Sequence, residues 1–431
     1  MLTATFLLTL WAVPGQAQTL TSLHQFRGLI DGNTDGAMAQ VGLTADSAGN
    51  LYGATTAGGM LGTNCNGLGC GTVFKVEHDG SGWIFRPLYR FPGGANGFVP
   101  LSRVTVAPDG SLYGTTIAGG QGTCDASDNL GCGVVFHLQP PPSICRSFSC
   151  LWTETVIYKF TGGADGGYPS GDLVLDAAGV LYGVAGGGHY DNNICYLGCG
   201  VVYKLTHANG TWTESVLYTF QGGTDGGTAR GGVILDTTGN LYGVTSAGGD
   251  PNCTVGEGFG CGTVYELSPS QSGWTLNTLH TFEGGADGYW PIGGLAFGGA
   301  FAIFGTTEYG GNPGGGTIFQ LTNQGGGWAF STIYGLPGST SGVGGPQGTL
   351  AVTPSGTLYG ASLANGAIGI GYIFKLTPSN GSWIFTDLHD FVGREGSLPY
   401  DGLVVDASGN VYGTASADGM LDDGAVFEIT P

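Results

Sequence analysis

The sequence predicts an all-β protein: a seven-bladed β-propeller of four-stranded blades whose last blade is closed by the N-terminal strand. Three observations carry this. LYG or a close variant recurs at residues 51, 112, 181, 241, 303, 358 and 411, so the chain is a tandem array. Each copy sits in the same succession of short runs rich in β-branched and aromatic residues, separated by Gly-rich turns, and no segment sustains a 3.6-residue apolar period. Finally, the fourth run of the last repeat is missing at the C-terminal end and present at the other end of the chain.

The elements follow in order. Residues 1–17 (MLTATFLLTLWAVPGQA) form an apolar stretch with Gly15 and Ala17 placed as in a secretory signal cleaved after Ala17, although a basic leader is lacking and the start could lie upstream. Within each repeat, a short apolar strand such as DLVLD (172–176) precedes the LYG strand. The two are joined by turns such as DSAGN and DASGN, where Asp accepts backbone N–H groups and Gly supplies positive φ. Asp46, Asp176, Asp236 and Asp406 are therefore read as turn residues rather than catalytic carboxylates. The third strand recurs from GTVFKV (71–76) to GAVFEI (424–429), and the fourth is Trp-led, as in WTLNTLHTF (274–282). Helix is expected to be nearly absent.

The Trp-led strand has six full copies. TLTSLHQF (19–26) matches the tail of TLNTLHTF and supplies the seventh. A circularly split repeat has a physical rationale in a closed ring, where it covers the two terminal edges that an open array would expose. The mature chain, 18–431, is accordingly expected to be a single domain with blade seven built from 402–429 plus 19–26.

The ordered pattern LYGTT…GG…GTVFKL…W…LYxF…GGADG resembles the GloVer tandem repeat of secreted bacterial proteins often described as "choice-of-anchor". The resemblance covers essentially the whole mature chain. It implies export and repeat architecture and carries no established activity.

Composition narrows the partners. Lys plus Arg number 11 against 31 Asp plus Glu, a formal charge of −20, which argues against nucleic acid or anionic lipid. No stretch after the leader approaches the roughly 20 apolar residues of a membrane-spanning helix. A soluble, secreted or periplasmic monomer without membrane insertion is expected.

Ten Cys fall into five local pairs: Cys65 with Cys70, Cys124 with Cys132, Cys145 with Cys150, Cys195 with Cys199, and Cys253 with Cys261. Zinc competes as a reading, but Cys-x2-Cys spacing is absent and an exported chain meets an oxidising compartment, so disulfides are expected. Four pairs occupy the loops between strands 2 and 3 of blades one to four; Cys145 and Cys150 lie in an insertion between strands 3 and 4.

In a propeller the 2–3 loops and the blade-to-blade loops share one face, the candidate functional face. Asp35, Asn96, Asp165, Asp225 and Asp287 recur in the blade-to-blade loops and would form a partial ring. They could bind cations or sugar hydroxyls, or simply serve Asp-Gly turns. DGNTDG resembles the opening of a calcium loop, giving Asp31, Asn33 and Asp35 as possible ligands for calcium; Gly42 stands where a bidentate Glu belongs. Tyr168 and Trp290 are candidate sugar-stacking aromatics, with core packing as the competing reading. Glu308 and His189 break the repeat and are the polar residues worth testing for chemistry; His24, His280 and His389 are read as structural.

No Ser-His-Asp grouping, phosphate loop or dinucleotide fingerprint stands in a suitable context. Three functions remain in play, one of them a purely structural surface-layer component, expected if no pocket forms. Another is a non-catalytic exported binding or scaffold protein at the cell envelope, with a glycan or an envelope protein as ligand and no cofactor. The alternative is a glycan-cleaving enzyme, for which Glu308 with Asp287 or Asp225 is the pair to examine.

Overall fold

In the computed structural model, residues 18–431 are described except for 29–34, 61–64, 66, 81, 123, 125–129, 143–151, 190–194, 196–197, 256–258, 300, 339–343 and 420–421. They form seven antiparallel sheets, each a blade. Blade one runs outward through Thr44–Ala45, Leu51–Thr55, Thr72–Asp79 and Gly82–Arg90 in chain order. Blade two carries an additional short strand, Phe98–Pro100, paired with its second strand. Among the described residues the only helical turn is the 3-10 segment Gly94–Asn96.

Blade seven is assembled from both ends of the chain. Thr19–Gln25 lies outermost, paired antiparallel with Ala425–Thr430, then Val411–Ala415, then Val404–Val405. The N-terminal strand copies its counterparts down to their irregularity. In every blade the pairing of strands 3 and 4 skips one residue, Leu23 here and Leu217 or Ile157 elsewhere, immediately before the Tyr or His of the LYxF pattern. Such a bulge re-aims the side chains that follow and tightens the twist.

The re-aimed residue is the aromatic that ends strand 4. Phe26, Phe91, Phe160, Phe220, Phe282 and Phe391 are all fully buried. Each packs on a strand-3 ring of the next blade, with centroids 5.1–5.4 Å apart. Between blades five and six, Leu336 stands in the same role against Phe374. The contact Phe26–Phe74, between blade seven and blade one, has the same form as the other aromatic contacts, so the ring closes through an ordinary interface.

The LYG motif is explained by the same rings. A Cβ on Gly53 would lie 2.5 Å from the ring of Phe74 across the sheet, and Gly360 stands in the same relation to Phe374. Glycine is needed there because the neighbouring strand's aromatic occupies the space. The Tyr of the motif donates to the turn Asp: Tyr52 to Asp46 at 3.1 Å and Tyr412 to Asp406 at 3.1 Å. Asp46 also accepts from the Ala48 and Asn50 N–H groups, both at 2.9 Å, as the turn reading requires.

Candidate functional site

The acidic residues of the blade-to-blade loops latch onto the outermost strands. Asp165 accepts from the Tyr158 hydroxyl at 3.0 Å and the Thr161 N–H at 2.9 Å. Asp225 accepts from Tyr218 at 3.1 Å and the Gln221 N–H at 2.8 Å. In Asp287 and Asp35 the partners are His280 at 3.1 Å and His24 at 3.0 Å. Burial alone would raise the Asp287 carboxyl; the bonds from His280 and the Glu283 N–H outweigh it and hold it below the usual carboxylate range. Glu395, not flagged in the sequence, fills this role beside His389 at 3.2 Å. Asn96 donates instead to Glu154 of the next blade at 2.6 Å. The pairing of a Tyr or His with an acid six to eleven residues downstream thus fastens five of the seven outer strands to the turn that leaves them.

The 2–3 loops stand beside these turns. Disulfides join Cys65 to Cys70, Cys124 to Cys132, Cys195 to Cys199 and Cys253 to Cys261. The fifth expected pair, Cys145 and Cys150, lies outside the described residues, as do Asp31 and Asn33 of the calcium-loop motif. Among the described residues no cluster of three metal-ligating side chains forms. The second Cys of each of these four disulfides offers its carbonyl to the next blade: to the N–H of Val99 from Cys70, Tyr168 from Cys132, Thr228 from Cys199 and Trp290 from Cys261, at 2.7–3.2 Å. Those four acceptors' partners all adopt positive φ (52–58°), an unusual state for side-chain-bearing residues that these cross-blade bonds help to hold. Tyr168 and Trp290 therefore occupy a defined backbone position at the start of each blade's inward run.

Two residues further on, the chain reaches the axis. One residue per blade lines the mouth of an axial chamber of about 320 Å³: Gln40, Leu101, Ser170 and Arg230 from blades one to four, then Ile292, Gln347 and Tyr400 from blades five to seven. Because these residues lead into strand 1, they lie on the same face as the disulfide loops. The next tier is mostly glycine, and the backbones approach so closely that a Cβ on Gly293 would lie 2.6 Å from the Gly348 carbonyl. The waist is crossed by one ion pair. Arg103 contacts Asp172 through Nε at 2.7 Å and Nη2 at 2.5 Å. Asp401 stands beside them, accepting from the Gly42 N–H at 3.1 Å. Burial raises the Asp172 carboxyl, with Asp401 adding to the effect and Arg103 opposing it. Burial would lower the Arg103 guanidinium, but the two carboxylates raise it, so it stays charged. Below this pair a second chamber of about 350 Å³ opens between the innermost strands, lined largely by apolar side chains such as Val106, Val174 and Ile234. Asp172, Gly231 and Thr349 line both chambers, which adjoin back to back at the Arg103–Asp172 pair.

Glu308 sits at the edge of the upper mouth. It is 7% exposed and accepts from the Gln347 side chain at 2.8 Å. Burial raises its carboxyl against the hydrogen bonds of Tyr309 and Gln347 and the charge of Arg230. Burial and the Glu308 charge together push the Tyr309 hydroxyl up to about 12. Trp290 packs edge-on to Tyr309 at 5.7 Å and Tyr289 stacks on Tyr309 at 5.4 Å, giving a half-exposed aromatic corner next to the mouth. Glu308 shares no hydrogen-bond or charge partner with Asp287 or Asp225, each of which is tied to its own outer strand. His189 is exposed and contributes its carbonyl to the Cys199 N–H at 2.6 Å. The mouth residues themselves escaped the sequence reading; aligning the seven repeats on the position after the inward Pro would have exposed them.

Fold and site together define a closed seven-bladed propeller with a mixed-polarity chamber at the axis of its loop-bearing face. The chain belongs to the Gloeobacter/Verrucomicrobia repeat family, whose model matches residues 9–256 and 252–431. No curated protein matches it. Among solved structures, it is similar to a puromycin-hydrolysing peptidase of Mycobacterium tuberculosis (11% identity, 95% of this chain, 55% of that one, TM-score 0.50). It is also similar to a Thermus thermophilus protein described as a putative glucose dehydrogenase (17% identity, 78% and 98% covered, TM-score 0.43). A Lactobacillus plantarum protein gives 13% identity over 83% and 95%, with TM-score 0.47. At such identities the likeness is one of fold.

Proposed function

We propose that the protein is an exported, non-catalytic binding propeller of the cell envelope that takes a glycan at the axial mouth. One observation carries the reading. The seven mouth positions hold six different side-chain types, whereas Pro precedes five of them and a buried Phe or Leu ends strand 4 in every blade. Positions that the fold dictates repeat; a lined opening that does not repeat is free to be shaped by a ligand. Amides, hydroxyls, a guanidinium and aliphatic groups together suit a hydroxyl-rich ligand, and the aromatic corner of Trp290 and Tyr309 offers a stacking surface beside it. Four disulfides and the leader-like 1–17 support export.

A glycan array probed with residues 18–431, run beside a polysaccharide-depolymerisation assay, tests this. Retention of defined glycans without chain cleavage is the expected result. Glu308 is the one feature favouring the glycan-cleaving alternative, since its raised carboxyl suits a general acid. Cleavage abolished by Glu308→Gln would replace the binding reading with that one.

A further inference from the structure

We propose that the axial chamber reads the terminal residue of a glycan end-on, as a socket, rather than gripping a chain along its length; this rests on the binding reading above. The floor is the first argument. The Arg103–Asp172 pair crosses the waist, Asp401 braces it, and glycine backbones pack around them, so nothing entering the upper chamber passes through. A chain can therefore enter only by an end. Size is the second. About 320 Å³ lies at the lower limit of ligand cavities, roughly 300–1,000 Å³, which suits one or two sugar rings and not a longer segment.

Lining chemistry is the third argument. The Gln40 and Gln347 amides, the Ser170 hydroxyl and the Tyr400 phenol offer donors and acceptors in several directions, while Leu101 and Ile292 offer apolar surface to ring C–H faces. Charge is close to balanced: Arg103 and Arg230 stand against Asp172, Asp401 and Glu308. A neutral polyhydroxylated ring, which needs no counter-charge, suits this lining better than a free anion, which would meet two guanidiniums already outnumbered by three carboxylates.

The test is calorimetric titration of residues 18–431 with linear β-1,4-glucan, chitin and α-1,4-glucan oligosaccharides of two to seven units, with β-cyclodextrin as the endless counterpart of the last. Affinity per chain that levels off by the trisaccharide, and failure of the cyclic ring to bind, are expected. Ser170→Trp, which fills the socket, and Gln347→Ala should each weaken binding at least tenfold while melting like the parent. Affinity rising steadily with length, equal binding of cyclic and linear chains, or unaltered binding by both folded variants would overturn end-on recognition and leave the binding reading standing. No binding by any series, with an empty glycan array, would overturn both.

Discussion

Blades one to four and blades five to seven solve the same problem by different means. At every junction the backbone entering a new blade must be pinned to the blade before it. In the first group the pin is the carbonyl of a disulfide-bonded Cys, held in a loop that the bridge shortens. In the second group the loops carry no Cys. The Leu398 N–H bonds to the Ile370 carbonyl at 2.9 Å, and the Met38 N–H to the carbonyl of buried Asp423 at 3.0 Å. The junction from blade five to six departs furthest: the Gly345 N–H turns to the Glu308 carbonyl at 3.0 Å. The hydrogen bond is thus the general requirement, and the disulfide one way of stiffening its acceptor. It also places Glu308 at the one irregular junction, next to the mouth.

The unbridged half contains the chain closure, and breaking it should have the largest effect. Phe26→Ala empties a fully buried site between blades seven and one and should cost about 3–5 kcal/mol. Deleting 18–27 also strips the edge of Ala425–Thr430, and thermal melting should then show aggregation or no cooperative transition. A deletion variant that melts like the parent would contradict the closed ring.

Removing one bridge from the other half should cost less. Replacing Cys253 and Cys261 by Ser frees a loop of eight-residue separation, with an expected loss of about 2–3 kcal/mol from chain entropy. The distinguishing sign is local: limited proteolysis should cut the 250–261 loop before any cut in blades five to seven. Equal protection of both regions would show that the bridges do not set loop stability.

A smaller effect separates blades two and three from the rest. Their outer strands carry Glu154 and Glu214 where Phe85, Phe330 and Phe385 pack in other blades. One oxygen of Glu214 is buried without a partner, as is the Tyr203 hydroxyl. Burial first, then the charge of Asp165, pushes the Glu214 carboxyl up to about 7. The folded state therefore holds the proton more tightly than the unfolded chain. The stabilisation is complete below the ordinary carboxylate value and is lost as pH rises towards 7. Glu214→Gln should flatten the decline in melting temperature between about pH 4.5 and 7. An unchanged pH profile would show that Glu214 is not the titrating group.

What could be read in the sequence was whatever repeats. Strand order and the circular split follow from motifs that recur in every repeat, the Asp turns from one that recurs in four of them, and the spare TLTSLHQF run named the closing strand. The site was harder because its members are one per repeat and differ in type. Leu101 and Ile292 look like ordinary strand residues until ring closure brings them to one opening. The blade-to-blade acids showed the reverse problem. Asp165 and Asp225 stood out as a ring, yet each carboxylate is committed to a Tyr seven residues earlier, a pairing that only the bulged outer strand makes possible. Glu308 did stand out as a break in the pattern; its partner Gln347, 39 residues away, did not.

The central claim is that the axial mouth is where this propeller meets its ligand, and hydrogen–deuterium exchange tests it most directly. With the best-retained glycan of the array at saturation, protection should rise in the segments leading to the axis, 38–43, 99–103, 168–172 and 345–349. The turns at 46–50, 176–180 and 406–410, on the opposite face, should exchange as in the free protein. Protection confined to those turns, or to the outer latches at 161–165 and 221–225, would contradict the claim.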